Sequence, residues 1–189
     1  MPEGARRAQN VADSDRIAAP RYGGLERSCG AFMAPETPAF TLRDARGADL
    51  DRLLALEAMF PGDRLSPRQF RRHLASPTAR LRVAERGGAL AGYALVFLRR
   101  GSSAARLYSI AVDPLQRGHG LGAALLADAE QQARAAGCTA LHLEVRCDNA
   151  AAIALYRRAG YRERGVRPGY YEDGCAALCL TRRLEPASA

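Results

Sequence analysis

Hydrophobic and polar positions change period several times along this chain, and each change marks an element. Phe40 to Arg43 alternates briefly and predicts a short strand. Ala48 to Phe60 places Leu50, Leu53, Leu54 and Met59 at helical spacing, and Pro61-Gly62 stops it. Ser66 followed by Pro67 supplies an N-cap and an N1 proline for a second helix running through Leu74. Leu81 to Glu85 and Ala89 to Leu98 predict two strands joined at Gly87-Gly88, a hairpin signal, and a third strand ending at Val112 follows the Gly101-Ser102-Ser103 turn. Leu121 to Ala136 reads as a helix closed by Gly137, Ala140 to Arg146 as a strand, and Ala150 to Ala159 as a helix between Asn149 and Gly160. Tyr161 to Arg167 and Ala176 to Arg183 are final strands around a Pro168-to-Gly174 connection. The order β-α-α-β-β-β-α-β-α-β-β predicts an α/β fold, a mixed sheet with helices on both faces rather than a regular βαβ alternation.

Composition sharpens the boundaries. Residues 1–38 mix Gly, Ala, Pro and scattered charges without a sustained apolar period, which predicts a disordered N-terminal tail, with Met33 as an alternative start. Residues 39–185 are expected to form the compact domain, and 186–189 a C-terminal tail. The 28 basic residues are all Arg, a pattern that GC-rich coding explains, and the formal net charge is +8. The tail carries equal numbers of Arg and acidic residues, so the excess lies on the domain and favours an anionic ligand or a nucleoprotein surface. No basic run with interleaved aromatics points to direct nucleic-acid readout. The 5 cysteines are irregularly spaced, without CxxC or Cys/His metal spacing, so reduced thiols and no metal are expected. Neither a secretory h-region nor an 18-residue apolar run occurs, so the expected setting is the cytoplasm, with no membrane contact.

The densest chemical signal is Arg117-Gly118-His119-Gly120-Leu121-Gly122, three glycines where a strand hands over to a helix. Glycine lets backbone N–H groups face a ligand, and a helix N-terminus adds unpaired donors and the positive dipole end, so a phosphate or pyrophosphate is expected there. A dinucleotide is one candidate: Gly118-x-Gly120-x-x-Ala123 fits GxGxx(G/A), and Glu144 lies twenty-one residues beyond Ala123. Against it, five residues separate Val112 from Gly118, and too little chain follows to build a second mononucleotide half.

Arg117-x-x-Gly120-x-Gly122 resembles the (Gln/Arg)xxGx(Gly/Ala) signature of the GNAT superfamily of acyl-CoA N-acyltransferases. Leu143-Glu144-Val145-Arg146, Asn149 to Tyr156 and Gly160-Tyr161 are similar to the bacterial ribosomal-protein N-terminal alanine acetyltransferases. The likeness runs over roughly residues 40–183 and is densest from Ile110 to Tyr161. It implies a largely antiparallel mixed sheet flanked by helices and splayed at the acetyl-CoA site. It places acetyl-CoA, the acetyl donor, with its pyrophosphate on the amides of Gly118, His119, Gly120, Leu121, Gly122 and Ala123, beside Arg117. Pantetheine would lie along Ile110, Ala111 and Val112, and Asn149 would hold the cofactor arm. It also implies Glu144 as general base and Tyr156 as general acid, in direct transfer to an amine.

Period-two alternation puts Leu141, Leu143 and Val145 on one face and His142 and Glu144 on the other, so Glu144 leaves the apolar side. A salt bridge to Arg146 or another Arg is the competing role for Glu144, core packing for Tyr156, and a structural hydrogen bond for His142, the second candidate base. Cys147 lacks a His/Asp arrangement and is set aside as a nucleophile. Phe60, with the residues after it, and Tyr170-Tyr171 are expected to wall the acceptor site. The acceptor is expected to be a protein N-terminal α-amino group, ribosomal protein included. A small-molecule amine, or a non-catalytic acyl-CoA sensor, is the alternative.

Overall fold

The computed structural model describes residues 40–60 and 64–185. The expected tails at 1–38 and 186–189, Met33 and the Pro61-Gly62 stop lie outside them. Strand β1 (Thr41–Asp44) leads through a 3-10 turn at Gly47–Asp49 into helix α1 (Leu50–Ala58) and helix α2 (Pro67–Ala75). Strands β2 (Ala79–Arg86), β3 (Ala89–Phe97) and β4 (Ala104–Val112) follow, then helix α3 (Leu121–Ala135) and strand β5 (Ala140–Arg146). Helix α4 (Ala150–Arg158) and strands β6 (Arg162–Arg167) and β7 (Ala177–Arg183) complete the order. The element order expected from the sequence holds. Boundaries move by one to three residues, and the long first helix divides because a tight 3-10 turn takes its start.

Local chemistry accounts for these ends. The Ser66 hydroxyl accepts from Gln69 N while the Gln69 side chain accepts from Ser66 N at 2.8 Å, closing a capping box ahead of Pro67. Gly87 and Gly88 both take positive φ, 58° and 78°, the turn that matches strand twist in a two-residue hairpin. The Asn149 side chain accepts from Ala152 N at 3.0 Å and caps α4.

The seven strands form one sheet in the order β1-β2-β3-β4-β5-β7-β6. Every pairing is antiparallel except β4 with β5. Two buried clusters occupy opposite faces. One joins Leu107, Ile110 and Val112 of β4 to Leu121, Leu125 and Leu126 of α3, Ile153, Leu155 and Tyr156 of α4, and Leu141, Leu143 and Val145 of β5. The other joins Leu53 and Leu56 of α1 and Phe70 of α2 to Val83, Tyr93, Leu95 and Ala111. The second cluster draws only on β2, β3 and β4 of the sheet. On that face α1 and α2 therefore leave β5, β7 and β6 uncovered.

Arginine supplies much of the polar cross-linking. Arg43 donates to both Asp49 oxygens at 2.8 Å and to Glu85 at 2.6 Å, and Arg82 bridges Asp128 and Asp44 at 2.8 Å. No helix among the described residues is long and apolar enough to cross a membrane.

Candidate active site

The parallel strands β4 and β5 pair only from Ala104↔Ala140 to Arg106↔His142. Beyond Arg106 they diverge, while β4 stays paired to β3 as far as Val112↔Gly92. The edge of β4 facing β5 from Ser109 to Val112 therefore has no strand partner among the described residues, and can pair with an extended amide chain as an added strand would. Ile110, Ala111 and Val112 lie on this stretch and are buried. A register shift beside Leu95 adds one residue on β4 between Leu107 and Ser109, which bends the strand where the opening begins.

Past Val112 the chain makes a 3-10 turn at Pro114–Gln116, capped by Asp113 accepting from Leu115 N at 2.9 Å. This turn fills the gap between strand and glycines that the sequence shows. Gly118 and Gly120 take φ of 79° and 75°, and Gly120 is the N-cap of α3. A Cβ at either would meet nothing within 4 Å, so the glycines serve backbone conformation and leave open space beside the helix N-terminus. Gly122 differs: a Cβ there would sit 3.6 Å from Leu155, an ordinary contact, so alanine fits. His119 and Ala123 are exposed and Leu121 is buried. Arg117 lies over the ring of Phe60 at 5.9 Å, joining the glycine loop to the end of α1. Open amides at a helix start and an unpaired edge behind them fit a pyrophosphate with a trailing pantetheine.

Across the sheet from α3 and α4 lies a polar cluster. Glu144 is only 8% exposed. Its Oε2 accepts from Arg106 Nε at 2.9 Å, and its Oε1 lies 3.3 Å from Arg167 Nη1. Arg106 also donates to the Tyr170 hydroxyl at 2.8 Å and lies 5.5 Å over the Tyr108 ring. The salt bridge that is the competing role for Glu144 is thus present, with two arginines. Arg146 is not one of them: it pairs with Asp148 and Asp173 at 2.8 Å and lies over Tyr171 at 5.0 Å, tying the β6–β7 connection to β5. Tyr170 and Tyr171 meet edge-on at 5.1 Å, Tyr170 toward Glu144 and Tyr171 buried.

His142 shares the Glu144 face, and its Nδ1 lies 2.6 Å from the Thr181 hydroxyl. Burial, reinforced by Arg164, holds its pKa below the usual histidine value. Tyr156 lies in the α3–α4 core, edge-on to Tyr161 at 5.7 Å, and burial raises its pKa, so the phenol keeps its proton. Glu144 thus lies on β5 just past the β4–β5 divergence, and Tyr156 lies in the core on the opposite face of the sheet. Asn149 commits its side-chain oxygen to the cap of α4, which leaves its NH₂ to donate. Cys147 is exposed, and partial desolvation with neighbouring Cys175 and Asp148 raises its thiol above the ordinary pKa, opposite to what a nucleophile needs.

Sequence reading did not single out Arg106 or Arg167, nor a second network behind the acceptor side. There Glu57, 2% exposed at the end of α1, accepts from Leu65 N at 2.7 Å and from the Tyr93 hydroxyl, which itself lies 2.9 Å from Ser109 Oγ. This carboxylate ties the start of α2 and the end of α1 to β3 and β4. Its only sequence signal is an acid at an apolar-face position of α1.

The family model for the acetyltransferase (GNAT) family matches residues 48–161. The chain belongs to that family. The enzyme is 38% identical over 156 residues to the N-alpha-acetyltransferase RimI of Mycobacterium tuberculosis, covering 80% of this chain and 96% of the relative. The crystal structure of the ribosomal-protein-S18-alanine N-acetyltransferase from Escherichia coli superposes with a TM-score of 0.70 at 30% identity, covering 79% of this chain and 96% of that one. The Salmonella typhimurium protein YncA, solved with its cofactor acetyl-CoA, shares the fold with a TM-score of 0.68 at 20% identity, over 79% of this chain and 96% of that one. The enzyme is therefore an N-acetyltransferase of the GNAT family, and acetyl-CoA is that family's acetyl donor. This excludes the dinucleotide candidate raised by the glycine loop.

Proposed function

We propose that the enzyme acetylates a protein N-terminal α-amino group, of the ribosomal-protein alanine type, by direct transfer. The observation that carries this reading is the pairing of an unpaired β4 edge with a buried carboxylate, Glu144, across the same strand divergence. Two of the relatives named above add support, the Mycobacterium tuberculosis and Escherichia coli proteins, which are named for α-amino or alanine acetylation.

Bound along β4, acetyl-CoA supplies an acetyl thioester. The amides from Gly118 to Ala123, with Arg117, hold its pyrophosphate, the β4 edge at Ile110 to Val112 orients its amide arm, and the Asn149 NH₂ donates to it. Glu144 takes the proton that the incoming ammonium must lose, directly or through water, so that a neutral nitrogen bonds the acetyl carbon. The carbon–sulfur bond breaks, and Tyr156, protonated by virtue of its burial, gives its proton to the departing sulfur and regains one from solvent as Glu144 releases the proton it took from the amine. Of the two guanidiniums on Glu144, Arg167 is the more exposed, 57% against 24% for Arg106, and the longer contact. Arg167 is the partner an incoming ammonium displaces, while Arg106, fixed between Tyr108 and Tyr170, keeps the carboxylate aimed.

An α-amino group has a pKa of about 7.7–8.0, against about 10.4 for a lysine side chain, so base assistance is needed mainly below that range. Glu144→Gln should lower kcat/KM by roughly 10²-fold near neutral pH, with the deficit shrinking as pH rises past the amine pKa. Tyr156→Phe should cost about tenfold by comparison. CoA release measured against peptides with different first residues and a panel of small amines tests the reading. Turnover confined to small amines overturns the protein-acceptor assignment, and wild-type rates in the Glu144→Gln, Tyr156→Phe double variant overturn the residue roles.

A further inference from the structure

The uncovered face of β5, β7 and β6 holds a groove of about 870 Å³ that runs away from Glu144. Its walls include Arg99 beyond β3, Arg106 on β4, and Arg164 and Arg167 on β6, with His142 on its floor. Glu144 is the one carboxylate among the lining residues, and it is already held by Arg106 and Arg167. Arg99 and Arg164 have no carboxylate partner among the described residues, so their charge faces the groove uncompensated. His142 adds no negative charge. β4 runs about 26 Å from Ala104 to Val112 by strand rise, and the glycine loop follows Val112 at that far end, so Arg99 and Arg164 are not placed to serve the donor's pyrophosphate.

Building on the peptide-acceptor reading, we infer that this groove selects acceptors whose residues just behind the reactive amine carry carboxylates. The charge order within the groove fits such a chain. Its ammonium end meets Glu144, and the following residues run between Arg106, Arg164 and Arg99. A polyphosphate or nucleic-acid strand would instead place an anion against Glu144, while a basic peptide would thread its charges past unpaired guanidiniums. Arg99, in the connection after β3, and Arg164, on β6, sit at the two sides of the groove, so an acidic residue at the second to fourth acceptor position can meet one of them in an extended conformation. At partly exposed sites such pairs act at the level of surface salt bridges, small singly and weakened by salt.

The test uses full-length enzyme, acetyl-CoA and peptides that share an N-terminal Ala and differ only at positions two to four: Asp/Glu, Ser/Asn or Arg. Expected is kcat/KM falling in that order, with about tenfold between acidic and basic peptides at low ionic strength, expressed in KM and compressed by added salt. Arg99→Glu with Arg164→Glu should invert the order, while Arg99→Gln with Arg164→Gln should flatten it. Both positions are exposed, and unchanged melting temperatures verify that the variants fold. Turnover of all peptides without a charge order, or an order that survives the double Glu variant, overturns the groove assignment alone. Failure of every peptide while small amines react overturns the peptide-acceptor reading, and this inference with it.

Discussion

Glu144 sits between two guanidiniums of unequal exposure, and that asymmetry is what a base with a fixed aim and one exchangeable partner requires. Glycines and helix caps announce themselves locally in a sequence. Arg106 does not, because it meets Glu144 across 38 residues and Tyr170 across 64, brought there only by the Arg106↔His142 register of β4 and β5. Glu57 is hidden for a related reason. Its position reads as part of the apolar stripe of α1, and its partners Tyr93 and Leu65 lie on other elements. Glu57→Leu removes both acceptor oxygens at nearly the same volume, so the Leu65 N–H loses its acceptor in a buried site. An unsatisfied buried group costs about 1–3 kcal/mol. The melting temperature should fall by several degrees, and the KM for the acceptor should rise more than that for acetyl-CoA, because the connection between α1 and α2 loses its tie to the sheet. A variant with wild-type stability and an unchanged KM ratio would show that the network does not hold this connection.

At the scale of elements, the sequence shows where each helix begins but not how the strands associate. Ser66-Pro67 and Asn149 are caps whose function is complete within four residues, and both appear in place. The strand order, the single parallel pairing and its early divergence are contacts at long sequence separation, and hydrophobic alternation is the same whichever neighbour a strand finds. The glycine loop lies between these cases: its residues mark a phosphate site locally, but the 3-10 turn that delays it after β4 belongs to the tertiary path. Gly120 and Gly122 separate the two glycine functions. Gly120→Val forces a β-branched residue into the left-handed region, at a cost of about 1–2 kcal/mol, and tilts the amides at the start of α3. The Kd for CoA measured by calorimetry should weaken by roughly tenfold or more, a factor equivalent to about 1.4 kcal/mol. Gly122→Ala should bind CoA within about twofold of wild type, since its Cβ makes only an ordinary contact with Leu155. Equal losses in the two variants would mean that steric crowding, not backbone conformation, governs the loop.

Over the whole molecule, the balance of buried titratable groups sets a direction for stability against pH. His73 is on the buried side of α2, 4.9 Å from the Phe97 ring, and burial together with Arg72 depresses its pKa. His142 is depressed for the same first reason, with Glu144 opposing. A histidine whose folded pKa lies below its unfolded value, about 6.5, binds its proton more readily in the unfolded chain. Unfolding then takes up protons as pH falls through that value, and stability declines until the folded pKa is passed. Asp49, whose pKa is lowered chiefly by its hydrogen bonds from Arg43, adds a second decline nearer pH 4, where the unfolded carboxyl binds a proton that the folded one resists. Melting temperature should therefore drop in two stages, one beginning near pH 7 and one near pH 4, with at most two protons taken up in the first. His73→Phe should shrink the first stage without moving the second, since Asp49 and His73 contribute separate ionisations. A melting temperature flat from pH 7.5 to 5.5 in the wild type would remove both histidines from the account, and a second stage abolished by His73→Phe would show that the two regions do not titrate independently.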